Sequence, residues 1–278
     1  MLTGFRVLWR ALVHFWDESL LMIRANVTWF AVSLPLYLLT VLVCGLFLPD
    51  IESETGGNYW PWIMGAFIMV MMPNPISVGV YALTNFVVNE ETPEFSLFWR
   101  AIKLLWKKAL VLYLIGGVVF GGLLFNTAFY MQIDTGLLQA VAILWLYGIL
   151  FWLSMQAYLL PMLVSAAIPP PPPYAVEDGW PLDDIRRQQR PVREPPPTPE
   201  PEMLPVGTLY KRAAVLALAN PLMSLVMLIG VLLALALSTF ALPVYPLLLM
   251  SFIALVGCRG LRTLRDKYYP SEAKGAAG

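Results

Sequence analysis

Apolar positions along this chain do not alternate with polar ones. They gather in blocks of about 20 residues, the length a helix needs to cross roughly 30 Å of hydrocarbon. Six such blocks lie at about 26–48, 61–88, 109–131, 137–160, 219–241 and 242–258. They predict an all-α polytopic membrane bundle of about six transmembrane helices. The first block follows about 25 residues that contain Arg6, Arg10, Asp17, Glu18 and Arg24, with no A-x-A-like cleavage site after it. It reads as an uncleaved anchor rather than a signal peptide.

A different pattern precedes the outward-going blocks. "FRVLWRALVHFW" (5–16) and "FSLFWRAIKLLW" (95–106) align without a gap, matching Phe5 with Phe95, Trp9 with Trp99, Arg10 with Arg100, Ala11 with Ala101 and Trp16 with Trp106. Their large apolar residues recur at three- and four-residue spacing, which predicts amphipathic helices at the membrane interface, rings at headgroup level and cations reaching toward phosphate. A weaker echo, "LYKRAAVLAL" (209–218), stands before the fifth block. The chain thus reads as three units of interfacial helix plus transmembrane hairpin. Common interfacial physics, without any repeat, would also produce the likeness.

Proline rewrites the picture between 169 and 205. This stretch is rich in proline and poor in aliphatic residues, so it predicts a disordered cytoplasmic insertion with extended, semi-rigid character. "PPPY" (171–174) has the form of a WW-domain ligand, but proline runs generate it by chance. Acidic residues outnumber the arginines of "RRQQRPVR", which favours a solvated linker over a lipid contact. The chain then divides into a membrane part at 1–168 with spans one to four, the insertion at 169–205, a second membrane part at 206–268 and a flexible tail at 269–278.

Charge sets the orientation. The protein has 278 residues, 59% hydrophobic and 13% charged. All 18 Lys and Arg fall on one side of the predicted membrane, whereas the opposite loops carry Asp50, Glu52, Glu54 and Asp134. The positive-inside rule puts both termini in the cytoplasm. Nothing in this distribution points to nucleic acid. Cys44 and Cys258 fall near opposite faces, too far apart to bridge, and neither has metal-ligand spacing around it.

Candidate chemistry is sparse. No secure ionisable group lies inside a span, and the buried polar set is Asn74, Asn85, Asn126, Gln139 and Gln156. His14, the one histidine, belongs to the first interfacial helix. No nucleophile–base set, carboxylate pair, phosphate loop or metal cluster is visible, so neither an enzyme nor a cofactor is expected. Gly117 and Gly121 have the four-residue spacing that lets membrane helices pack closely. "MMPNPISVG" (71–79) removes backbone donors at Pro73 and Pro75 and adds flexibility at Gly79. Broken helices of this kind build transporter sites when two halves match, and "NPIS" (74–77) has a counterpart in "NPLMS" (220–224). Asn followed by Pro is also a good Ncap–N1 pair, and a kink with helix restart is the simpler reading.

The order of motifs resembles the YesL-like family of bacterial integral membrane proteins, a family of unknown function. The likeness runs through "NVTWFAVSLP" (26–35), "PISVGVYALTNFVVNEE" (75–91), "FSLFWRAIKLLWKKAL" (95–110), "YLLPMLV" (158–164), "LALANPLMSLVMLIGVLL" (216–233) and "LPVYPLLLMSFIALVGCR" (242–259). It excludes the proline-rich insertion, which departs from the family's tighter connection. The resemblance implies a bacterial cytoplasmic-membrane protein with an accessory role in sugar import, and supplies no catalytic or binding residues.

The leading expectation is therefore a non-enzymatic accessory subunit of a carbohydrate ABC transporter. Trp9, Arg10, Trp99 and Arg100 would be its partner contact, or alternatively its anchor in the lipid bilayer. The second expectation is a carrier or channel whose site lies near Asn74, Pro75, Ser77 and Gly79. No oligomeric state follows from the sequence.

Overall fold

Spacing of apolar residues at 7, 8, 11 and 15 makes the first helix, α1 (Leu2–Asp17), and buries Val7 and Ala11 while Trp9, Leu12 and Trp16 stay exposed. The computed structural model describes residues 2–47, 74–133, 135–170, 201–240 and 248–268. Among them lie eight helices and no strand. After α1 come α2 (Ser19–Phe47), α3 (Ser77–Val88), α4 (Ser96–Met131), α5 (Gly136–Ala167), α6 (Val206–Ala219), α7 (Pro221–Phe240) and α8 (Met250–Tyr268).

Two short helices form the centre. α3 is buried along nearly its whole length, and α8 is buried continuously from Ile253 to Gly260. α8 packs against α1, α2, α3, α5 and α7; α3 packs also against α4 and α5. Close crossing explains one glycine here: a Cβ on Gly257 would fall 2.9 Å from the Ala157 carbonyl oxygen. Polar side chains tie the centre to its surround, as expected where lipid offers no hydrogen bonds. Ser251 N–H donates to Asn26 Oδ1 at 2.8 Å and its Oγ donates to the Met22 carbonyl at 3.0 Å, joining α8 to α2. Thr84 Oγ1 lies 3.4 Å from Cys258 Sγ between α3 and α8, and Tyr158 OH lies 2.8 Å from Ser224 Oγ between α5 and α7.

The outer helices turn apolar faces away from this centre. Leu38, Leu39, Leu42 and Leu46 on α2, and Leu114, Val118 and Phe125 on α4, are exposed. That is an arrangement stable in hydrocarbon and costly in water. Three helices are long and apolar enough to cross a membrane, Ser19–Leu46, Ser96–Met131 and Gln139–Ala167, and a fourth span arises if the bent pair α6–α7 counts as one. The described residues thus give three or four such helices where the sequence pattern predicts six. Residues 61–73 of the second predicted span and 242–247 of the sixth lie outside the described residues, as do 171–200 of the insertion and the tail at 269–278.

The predicted interfacial units take three different forms. α1 meets α2 at Glu18, where the Glu18 N–H bonds to His14 and the Met22 N–H to Glu18, so helical hydrogen bonding carries across the junction. The second unit is not separate: 95–106 and the predicted span 109–131 fuse into the 36-residue α4. Lys107 and Lys108, between them, are good helix formers and supply no stop signal. The third unit is bent by 102° between α6 and α7. The end of the insertion is anchored. Glu202 N–H donates to the Ala166 carbonyl at 2.8 Å, Leu204 is buried, and Lys108 Nζ donates to the Leu204 carbonyl at 2.8 Å.

Candidate functional site

The break before α3 is closely filled. Asn74, Pro75, Ser77 and Gly79 are all buried. Asn74 Oδ1 accepts the Ile76 N–H at 2.8 Å and its carbonyl accepts the Ser77 N–H at 3.0 Å, a local turn that starts the helix. Ser77 Oγ accepts the indole N–H of Trp29 at 2.9 Å. Gly79 lies under the Phe98 ring, where a Cβ would come within 2.6 Å of Cδ2. One donor in this group is unused: Asn74 Nδ2 is buried without a partner. Pro73 lies outside the described residues.

The counterpart "NPLMS" behaves differently. Pro221 opens α7 as a first-turn proline should. Asn220, however, does not cap α7 with its side chain. Its Oδ1 accepts Lys267 Nζ at 3.0 Å and Tyr268 OH at 3.1 Å, tying the bend to the end of α8. A cleft of about 310 Å³ opens here between Thr3, Asn220, Met223, Thr263 and Lys267. Sequence spacing offered no sign of this tether, because Lys267 and Tyr268 are 47 and 48 residues away.

Trp9, Arg10, Trp99 and Arg100 are all exposed, and they occupy equivalent positions on their helices. In both copies Val7/Leu97 and Ala11/Ala101 are buried, and Trp16/Trp106 are exposed. The equivalence extends to a contact. Leu8 sits on Gly230 of α7 as its partner position Phe98 sits on Gly79 of α3, each with a Cβ clearance of 2.6 Å. Both α1 and α4 pack against α3. Trp9 also lines an apolar cleft of about 610 Å³ with Phe5, Leu8, Leu12, Gly230 and Phe252. Arg24 stacks over the Phe95 ring at 4.0 Å, which anchors the start of α4 against α2.

Among the described residues, Gly117 and Gly121 have nothing within 4 Å of either Cβ position and pack against no helix. The remaining polar candidates divide. Asn126 Nδ2 donates to the Gly122 carbonyl at 2.7 Å, Gln139 is exposed, and Asn85 Nδ2 is buried without a partner. Both side-chain polar atoms of Gln156 are likewise buried and unpaired.

At the other end of α3, the Arg262 guanidinium donates to the Val88 carbonyl and lies 3.7 Å from Glu90. Sequence reading placed Arg259 and Arg262 together in a cytoplasmic basic set. It missed that Arg259 is buried at 8% exposure. Its position directly after the apolar run "IALVGC" was the available signal.

Compared with models of protein families, with curated proteins and with solved structures, the chain gives no match.

Proposed function

We propose that this chain is a non-enzymatic subunit of a larger membrane complex, the accessory component of a carbohydrate-uptake transporter of ABC type. It sits in the bacterial cytoplasmic membrane with both termini in the cytoplasm. The observation that carries this reading is the outward, equivalent placement of Trp9–Arg10 and Trp99–Arg100 on two helices whose opposite faces are fixed in the core. Gly117 and Gly121 add a small-residue face on α4 that no described residue covers, the kind of surface against which another membrane helix packs. Naming the partner as a sugar transporter rests on the family resemblance alone.

The experiment is mild crosslinking in the native membrane, purification and identification of stoichiometric partners. Transporter subunits that co-purify with the wild type, and disappear when Trp9, Arg10, Trp99 and Arg100 are replaced by alanine, support the proposal. Subunits that persist would move the contact elsewhere, and a clean protein would remove the accessory role.

A carrier is the second reading, favoured by the unpaired Asn74 Nδ2 beside the proline break. Solute flux in reconstituted vesicles that vanishes in Asn74→Ala/Ser77→Ala would support it. Protein-dependent flux unchanged by those substitutions would remove this site.

A further inference from the structure

Arg259 has an unfinished coordination. The side chain is buried at 8% exposure, yet its Nη1 has no hydrogen-bond partner. A guanidinium withdrawn from water is expensive unless acceptors replace the lost hydration. At Nη1 no described residue supplies one. Arg262 stands one helical turn along α8 and Arg10 lies on α1, which packs against α8, with the acidic Glu90 and Asp266 also nearby. Arg262 is itself engaged by the Val88 carbonyl and by Glu90, whose side chain is 74% exposed. His14, half-buried on α1, has Arg259 and Arg262 as charged neighbours, together with Asp17 and Glu90. Positive groups from α1 and α8 therefore lie around a buried cation that, among the described residues, has no partner at Nη1.

Position selects the ligand chemistry. Arg259 follows directly on the apolar run of α8, and in the topology proposed above, with 242–258 as the sixth span, it stands at headgroup level beside the amphipathic α1. Phosphate oxygens are the acceptors available at that level, and the guanidinium fork matches them with two hydrogen bonds. We propose that the α1–α8 junction is a binding site for a phosphate group, with Arg259 as its central ligand and Arg10, His14 and Arg262 around it. The phosphate belongs either to an anionic lipid headgroup or to a free phosphate ester. Both present the same oxygens, so the probes must separate them.

The test uses the full chain in detergent. One arm titrates inorganic phosphate at fixed ionic strength against chloride and follows the thermal transition. The other incubates the protein with vesicles of phosphatidylglycerol and phosphatidylcholine and reads retained lipid by native mass spectrometry. A saturable stabilisation by inorganic phosphate identifies a free phosphate, and retention of phosphatidylglycerol over phosphatidylcholine without that effect identifies a headgroup. Arg259→Gln should abolish whichever is seen. Because that substitution touches a buried position, Arg10→Gln/His14→Gln provides a second variant on a more exposed helix. It should keep the fold and weaken binding about tenfold, the loss expected from removing charge-assisted contacts. No binding of either probe to the wild type overturns the proposal, as does binding unchanged in both variants.

Discussion

Phe98 lies against Gly79 so closely that a methyl group there would sit 2.6 Å from the ring. Phe98 is fully buried and edge-on to Trp99, with a centroid separation of 5.1 Å, so it has little room to yield. This contact seats the amphipathic start of α4 on the central helix. Gly79→Ala should therefore cost about 1–3 kcal/mol through overpacking. Gly117→Ala, whose Cβ meets none of the described residues, should be neutral to slightly stabilising, within about 1 kcal/mol. Thermal transitions of the two variants in one detergent decide the matter. Equal transitions would mean that α4 does not rest on α3 in this way.

A second prediction concerns the bond from Trp29 to Ser77. Ser77→Ala leaves a buried indole N–H without its acceptor, at a cost of about 1–3 kcal/mol. Trp29→Phe removes the donor and leaves the Ser77 hydroxyl free to find another partner. If the hydrogen bond holds α2 to α3, the double variant should be less destabilised than the sum of the singles, with a coupling of about 1 kcal/mol. Strict additivity in the unfolding series would show that the two groups act independently. The same variants bear on transport. Ser77 engaged by Trp29 is a structural residue, and flux that survives its loss fits that role.

Much of this architecture was legible in the sequence, and the reason is local. α1 announces itself by apolar spacing and α2 and α5 by continuous apolar blocks within their own residues, and the gapless match of 5–16 with 95–106 carries over to matching buried and exposed faces. What stayed hidden depends on distant partners. Whether an amphipathic stretch ends before its span or fuses with it turned on two lysines, Lys107 and Lys108, that favour helix without marking a boundary. Gly79 and Gly117 look alike in a sequence; only Phe98 distinguishes them. Asn220 had the look of a helix cap, and Lys267 and Tyr268, brought in from the end of α8, claimed its side chain instead. Arg259 read as one more cytoplasmic cation because its burial comes from the packing of α8 among helices distant in the chain.

His14 gives a pH dependence whose sign can be stated. Burial, followed by the charge of Arg259, pushes its pKa below the ordinary value of about 6.5. The folded protein thus holds its proton less tightly than the unfolded chain, and the unfolded state gains protons first as pH falls through about 6.5. The stability carried by neutral His14 is present above that value and is lost on acidification toward its lowered folded value. The thermal transition of the wild type should fall between pH 7.5 and 5.5, and that fall should be shallower in His14→Gln. Parallel curves for the two proteins would assign the acid sensitivity to other groups.

The insertion offers a prediction about modularity. Its two roots are joined directly, because the Glu202 N–H bonds to the Ala166 carbonyl, and Lys108 clasps the Leu204 carbonyl where Leu204 is buried. Closing a loop between anchors that already touch costs little extra entropy as its length changes, about 0.6 kcal/mol per doubling. Deleting residues 171–200 and bridging 170 to 201 with a short Gly/Ser linker should leave membrane insertion intact and the thermal transition within about 1 kcal/mol of the wild type. Extending the deletion through Leu204 should instead be destabilising, because it removes a buried side chain and the acceptor of Lys108. Measuring both truncations in one detergent separates a connector from a packed element. If the shorter deletion already collapses the protein, residues 171–200 carry contacts that their proline-rich composition gives no reason to expect.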